Sequence, residues 1–586
     1  MSHQKAGEET TARARTLVLA ALLAGVFMIL VNNTIVNVAA PSIQRDLDAA
    51  NNEIEWVISG YALAYGLLLI PGGRLGDRYG YKRMFLIAVT GFSLASLLSG
   101  TATGPAQLIL WQVVMGVMAG LMNPQTLAII QAAFPPAERG RAYGLYGAVS
   151  GVAVAVGPLL GGALVEWDVA GLAWRPVFLV NVPIGVLTLV LAARWLRPAR
   201  GSDAAIDYAG GLLMAGSLVL ILVPLIESSS VGWPAWSIAC LVAAPFVLSL
   251  FVLWALRRLR ADREPLFDVR LFKNVEFSTG IGIGLLYFAG FISLWFLTSI
   301  YLQTGVGLSA LDTGLVLLPP AVGTVACGML SDRLFRRLGK WLLLLGTGLA
   351  VIGAVGTLLT LRARGADLDG PELAVPLFVV GMGTGLVVAP NVDIVMSSVH
   401  WKHAGASGGL LNTAQRVGTA LGIAVIGLVF FGHLGDNASR AAREAVPRLE
   451  QDLVAAGMSR TAAEDSARTF VRCFAETAKA DDPSHTPAGC PKGNDDRAIG
   501  RAFDRAADTA LRENFNGAAQ EAAYYSAGAV ALALLLVFAL PARQPTGTDD
   551  WEGGAGDWSG GDGGGGDWDA SHAQGAEPGS DSGKGW

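Results

Sequence analysis

The feature that most constrains this chain is a repeating alternation. Apolar runs of roughly 20 residues are separated by short clusters of charge. About 20 apolar residues is the length a helix needs to cross about 30 Å of hydrocarbon. Fourteen such runs are legible in the 586 residues, the first opening near residue 15 and the last closing near 541. Only 15% of the residues are charged, against about 25% in an ordinary soluble chain. The runs lack period-2 alternation and are too long for strands, which excludes a transmembrane barrel. The fold class expected is therefore an all-α polytopic membrane protein.

Orientation follows from the basic residues. If the N-terminus lies inside, the loops after the even-numbered spans hold twenty Lys and Arg, among them Arg74, Arg78, Lys82, Arg83, Arg139, Arg141, Arg333, Arg336, Arg337 and Lys340. The opposing short loops hold four: Arg45, Arg175, Arg362 and Arg364. This bias places both termini in the cytoplasm and the chain in the cell membrane.

Residues 1–14 read as a short cytoplasmic tail. Residues 433–520 are Ala-rich and charge-balanced and read as an extracytoplasmic helical insertion, with Thr461-Ala462-Ala463-Glu464 as a capping box. This region carries Cys473 and Cys490, candidates for a disulfide in an oxidising compartment, with free thiols as the alternative. Residues 545–586 are rich in Gly, Asp, Ser and Trp and are expected to be a disordered acidic cytoplasmic tail.

One internal repeat stands out. GRLGDR (73–78) and GMLSDR (328–333) each lie at the exit of a span, and each is followed by a basic cluster and another glycine, Gly80 and Gly339. Equivalent positions in two halves suggest parallel repeats about an axis along the membrane normal. The implied arrangement is 6+2+6, with six-helix bundles at 15–196 and 276–541 and two extra helices at 207–256.

At this point the chain resembles the major facilitator superfamily, and within it the fourteen-helix drug–proton antiporter family, over nearly all of residues 15–541. GRLGDRYGYKR (73–83) is similar to the family's loop motif, VGPLLGG (156–162) to its antiporter motif, NNTIVNVAAP (32–41) to its first-helix motif and WRPVFLVNVPIG (174–185) to the start of its sixth helix. The resemblance implies a secondary transporter working by alternating access. In the loop motif, Gly73 and Gly80 allow tight turns. Asp77 can pair with Arg78 or Arg83 or face the positive start of another helix, and Lys82 adds to the basic cluster. This is the expected cytoplasmic gate. Gly157, Pro158, Gly161 and Gly162 of the antiporter motif suit close helix packing.

The sequence contains no GxxxxGK[ST] phosphate loop, so an ion gradient is the expected energy source. Here the chain departs from the family, which usually has Asp at Asn32 and Arg at Gln112. With those charges gone, Asp393 is the acid lying clearly within a span, and Arg416 is the base. Helical rise puts Asp393 roughly 9 Å and Arg416 roughly 15–18 Å from the inner ends of their spans. The two spans are consecutive, so the Arg can reach the carboxylate directly or through water. Asp393 is expected to titrate during the cycle with Arg416 tuning it. A structural pair, or an Asp hydrated from the cytoplasm, is the alternative.

Candidate cavity residues are Asn32, Asn33, Trp56, Tyr61, Tyr65, Gln112, Asn123, Asn391, Asn412 and Gln415. Amides and aromatics suit an amphipathic, mostly apolar substrate. The expected function is export of such compounds against a proton flow, with the bilayer as surroundings and a monomer as the unit. Export of an endogenous metabolite or lipid, or an uncoupled sensor, remains open. No enzyme activity, nucleic-acid partner, cofactor or metal is expected; the His400/His403 spacing falls in a loop with no Cys nearby.

Overall fold

The computed structural model describes residues 2–541 apart from 169–170, 198–206, 232–233, 262, 366–367, 400–403, 480–489 and 491–496. The expected acidic tail and the His400/His403 pair lie outside the described residues.

Hydrocarbon offers no partner for a backbone N–H, so each crossing closes its own bonds as a helix. The helices are α1 (Ser2–Leu47), α2 (Asn51–Tyr79), α3 (Tyr81–Gly100), α4 (Pro105–Ala133), α5 (Pro136–Glu166), α6 (Pro176–Leu179), α7 (Asn181–Trp195), α8 (Tyr208–Val231) and α9 (Ala235–Arg260). They continue with α10 (Val275–Ile300), α11 (Ala310–Val316), α12 (Leu318–Leu338), α13 (Lys340–Arg364), α14 (Ala374–Ser397), α15 (Ala404–Ala455), α16 (Arg460–Lys479) and α17 (Arg497–Ala539). Among the described residues, fourteen helical stretches are long and apolar enough to cross a membrane. The protein is a multi-pass membrane protein.

Local chemistry sets the boundaries. Pro opens α4 and α5, where its missing N–H costs nothing. Asn274 caps α10, its Oδ1 accepting from the Glu276 and Phe277 amides at 2.9 and 3.4 Å. Single glycines at positive φ separate α2 from α3 (Gly80, 92°) and α12 from α13 (Gly339, 55°), so both copies of the repeat end in a one-residue glycine break. Gly73 departs from expectation. It lies inside α2, away from any turn, and serves a helix contact described below.

The α2–α3 turn carries Arg78, Lys82 and Arg83 and marks the basic end of the bundle. At the opposite end, α15 continues as one helix to Ala455, and with α16 and the start of α17 it builds the 433–520 region. Ala442, Ala445, Leu449, Leu453, Ala463, Ala467, Ala502, Ala506 and Ala510 form a small separate core there. Alanines let three helices pack closely. Cys473 and Cys490 are joined by a disulfide, with Cα atoms 5.7 Å apart. The capping expectation shifts by two residues: α16 starts at Arg460, and Ser459 Oγ accepts from the Ala462 amide at 3.3 Å.

The pair α8–α9 packs against α2 through Leu222, which approaches Gly66. The connection following α9 turns back into the core with Leu266 and Phe267 buried. Asp207, itself buried, organises that return. Its carboxylate accepts from the Leu266 amide at 3.2 Å and from Trp254 Nε1 at 3.1 Å, and Arg258 Nε lies 3.6 Å away.

Candidate functional site: a polar seam and its gate

At the basic end, α2 and α15 meet without clearance. A Cβ on Gly73 would lie 2.0 Å from the Gly405 carbonyl oxygen, and one on Gly409 would lie 2.3 Å from the Leu69 carbonyl. Only glycine permits this approach. Asp77, buried, sits over the start of α15. Its Oδ1 accepts from the Gly405 amide at 3.0 Å and its Oδ2 from the Ala406 amide at 3.2 Å. Tyr81 Oη donates to Oδ1 at 2.9 Å, and Arg74 Nη1 stands 3.9 Å from Oδ2. A carboxylate on the amides that open a helix is favoured by both hydrogen bonding and the helix dipole. The helix start expected as a partner of Asp77 is present here. Arg78 lies over the Tyr79 ring. Arg74 is buried and also pairs with Glu264, in the connection after α9. Lys82 donates to the Ala193 carbonyl at 2.9 Å and the Leu196 carbonyl at 2.5 Å, capping the end of α7.

The second copy of the repeat makes the reciprocal contact. A Cβ on Gly140, in the first turns of α5, would lie 2.2 Å from Asp332 Oδ1, and one on Gly144 would lie 2.7 Å from the Gly328 carbonyl. So α12 presses on α5 as α2 presses on α15. The antiporter-motif glycines serve another neighbour: Gly157 and Gly161 admit Thr34 and Ile35 of α1, while Gly162 has open space. Helix α5 runs through Pro158.

Beyond this contact lies a buried polar seam. Asn123 of α4 is its hub. Its Nδ2 donates to Tyr65 Oη at 2.5 Å and to Asn412 Oδ1 at 3.1 Å, and its Oδ1 accepts from Tyr146 Oη at 3.1 Å. Four helices, α2, α4, α5 and α15, meet at one amide. Tyr61 stacks on Tyr65 with ring centroids 6.2 Å apart and donates to the Ile29 carbonyl at 2.8 Å. Arg416 Cζ lies 4.5 Å from the Tyr65 ring centroid. Asn32 and Gln112 face each other, Nδ2 to Oε1, at 3.4 Å. Their remaining polar atoms, Asn32 Oδ1 and Gln112 Nε2, are buried without a partner, as is Asn391 Oδ1. Asn391 Nδ2 donates to the Gly280 carbonyl at 3.1 Å, and Gln415 lies nearby, beside Gly284. Asn33 is half-buried on α1, and Trp56 is 41% exposed, away from the seam.

The expected Asp393–Arg416 pair does not form. Arg416 sits at the level of Tyr61, Tyr65 and Tyr146. Asp393 sits beside Tyr143 and Arg139, one turn along α5 toward the basic end. Adjacency of two helices in sequence does not make their side chains meet: the two groups differ in depth by about a turn and face different neighbours. Arg139, Tyr143, Tyr146 and Gln131 were missed from sequence. Gln131 Nε2 donates to the carbonyls of Met396 at 2.6 Å and Val399 at 3.1 Å, tying α4 to the end of α14. A Gln in an apolar run was the available signal.

Fourteen membrane-length helices around a buried neutral polar seam, closed at one end by a carboxylate on a helix start, define a membrane carrier. Known proteins agree. The family model described as Major Facilitator Superfamily matches residues 22–207 and again 207–423, and the chain belongs to that superfamily. It is a transport protein and not an enzyme. It is 34% identical over 532 residues to the "Probable actinorhodin transporter" of Streptomyces coelicolor, covering 90% of this chain and 92% of that protein. It is 32% identical to the "Tetracenomycin C resistance and export protein" of Streptomyces glaucescens, covering 71% and 76%. It is 35% identical to the "Puromycin resistance protein pur8" of Streptomyces alboniger, covering 71% and 81%. Among solved structures, the human organic anion transporter MFSD10 (TETRAN) shares the fold, with a TM-score of 0.50 at 14% identity, over 72% of this chain and 94% of that one.

Proposed function

We propose that this protein exports an amphipathic, antibiotic-like small molecule from the cytoplasm by alternating access, driven by an inward flow of protons. The observation that carries the reading is the seam at Asn123. Neutral amides and tyrosines from four helices converge there, directly above a gate that one carboxylate closes. The unpartnered atoms on Asn32, Gln112 and Asn391 supply donors and acceptors for a substrate, because a buried polar atom without a partner is costly until something bonds it. The names of the relatives, resistance and export proteins among them, support the direction and the class of cargo. The bias of basic residues supports a cytoplasmic gate, with both termini on that side.

In this reading the chain is a monomer with six helices on each side of the seam and α8–α9 as the added pair. Asp393 is the proton-carrying group. It lies within a span, where a carboxylate is retained only if it pairs, meets water or works, and its neighbour across the gate is Arg139. Inverted membrane vesicles loaded by an imposed pH gradient test the whole reading. Wild-type vesicles should accumulate a fluorescent amphiphile and lose it when the gradient is collapsed. Accumulation that ignores the gradient sinks proton coupling, and no accumulation of any amphiphile sinks export.

A further inference from the structure

We propose that Arg416 selects the substrate's charge, and that the cargo is an organic anion: a planar aromatic body bearing a carboxylate. The inference rests on the reading of the seam as the substrate path and gives that path its chemistry.

Along α15, one stripe faces α2 and α4. Its members are Gly405, Gly409, Asn412 and Arg416. The two glycines touch backbone, Asn412 meets Asn123, and at Arg416 the contact loosens so that the side chain becomes partly exposed. Arg416 therefore stands where the closed seam opens. A guanidinium is always ionised. Its neighbours here are Tyr61, Tyr65 and Tyr146, and a tyrosine face attracts a cation without neutralising it. Among the described residues, Arg416 has no ion pair and no side-chain hydrogen bond.

The acids that might neutralise it lie elsewhere. Helix α4 contains no ionisable residue. Glu53 on α2, Glu138 and Glu166 on α5 and Glu276 on α10 stand roughly 12 Å or more along their helices from the level of Arg416. Asp77 is bound to the start of α15. Asp393 acts on Arg139 and Tyr143, a turn lower. A charged group at membrane depth is kept where it pairs, meets water or works. The donors of Arg416 form a fork that matches a carboxylate in two parallel bonds. The stacked Tyr61–Tyr65 pair beside it offers a flat aromatic wall. Together these fit an aromatic anion, while the charge of Arg416 over the Tyr65 ring repels a second cation from the same place.

The test measures binding to the purified full chain in detergent, apart from any transport. The probes are a planar fluorescent aromatic carboxylate and its methyl ester, read by fluorescence polarisation. Wild type should bind the acid about 10- to 100-fold more tightly than the ester, the range for a hydrogen bond to a charged group. Arg416→Gln should bring acid binding down to that of the ester and leave the ester unchanged, which also reports that the variant is folded. Arg416→Lys should keep part of the preference, since it retains charge without the fork. Equal binding of the two probes by wild type, no binding of either, or a preference that survives Arg416→Gln overturns the proposal. A wild-type protein that discriminates in detergent yet accumulates nothing in vesicles overturns export and leaves the anion site standing.

Discussion

At the residue scale, glycine and aspartate in the repeat do different work, and the sequence separates them poorly. Asp77 at a helix end pointed to a helix-start contact, and the amides of Gly405 and Ala406 are that contact. Gly73 read as a turn residue, yet it is the point where two backbones touch. Spacing alone does not distinguish a glycine needed for its dihedral from one needed for its missing side chain. The difference is testable. A Cβ on Gly73 meets a carbonyl oxygen 2.0 Å away, and backbone cannot step aside. Overpacking of this kind costs about 1–3 kcal/mol, a shift in the gate equilibrium of roughly 5- to 150-fold. Gly73→Ala should therefore hold the gate open and reduce transport in that range. A cysteine reporter at Gln131 should become reactive toward a soluble thiol reagent from the basic end. Unchanged labelling would mean the contact is not a gate. Asp393 yields a second residue-scale prediction. Asp393→Asn should still bind an amphiphile but lose stimulation by the pH gradient. Retained stimulation would move proton coupling to another group.

At the element scale, the spans were legible because hydrocarbon imposes one length and one composition on every crossing. The fourteen apolar runs match fourteen membrane-length helices. What the runs concealed is where the helices stop. Helix α15 passes its apolar run and continues to Ala455, because its polar alanine-rich continuation is as good a helix as the span itself. The region beyond is thus rooted in two transmembrane helices. Its fully buried core is mostly alanine, with Leu449 and Leu453, so the Cys473–Cys490 bridge is expected to add appreciably to its stability. Closing a loop of seventeen residues is worth about 3 kcal/mol in the chain-entropy account. Cys473→Ser should speed hydrogen exchange in α16 by about that free energy. Exchange at Asn123 and Tyr65 in the seam should not change. If α16 exchange is unaffected, the bridge is not what holds the region.

At the scale of the whole molecule, the decisive relation is reciprocity. The first copy of the repeat meets α15 through Asp77 and glycine packing, and the second packs onto α5 at Gly140 and Gly144 while Asp332 pairs with Arg336 of its own helix. A repeat at equivalent positions made this pairing of ends legible in the sequence. The partners were not legible, since which helix each copy meets depends on how the helices are arranged, and no local pattern encodes that. Between the two latches, Gln131 ties α4 to the end of α14 through the Met396 and Val399 carbonyls. A carrier that alternates must part at all three places together, because packed interfaces switch between discrete states and do not stretch. Locking one should then arrest the whole cycle. A Gln131→Cys, Val399→Cys pair bridged by a short thiol cross-linker should abolish vesicle uptake, and reduction of the linker should restore it. Each single cysteine treated with the same reagent should transport at the rate of that same variant left untreated. Uptake that continues with the bridge in place would show that the basic end does not open during transport, and the gate assigned to Asp77 would have to be a static strut.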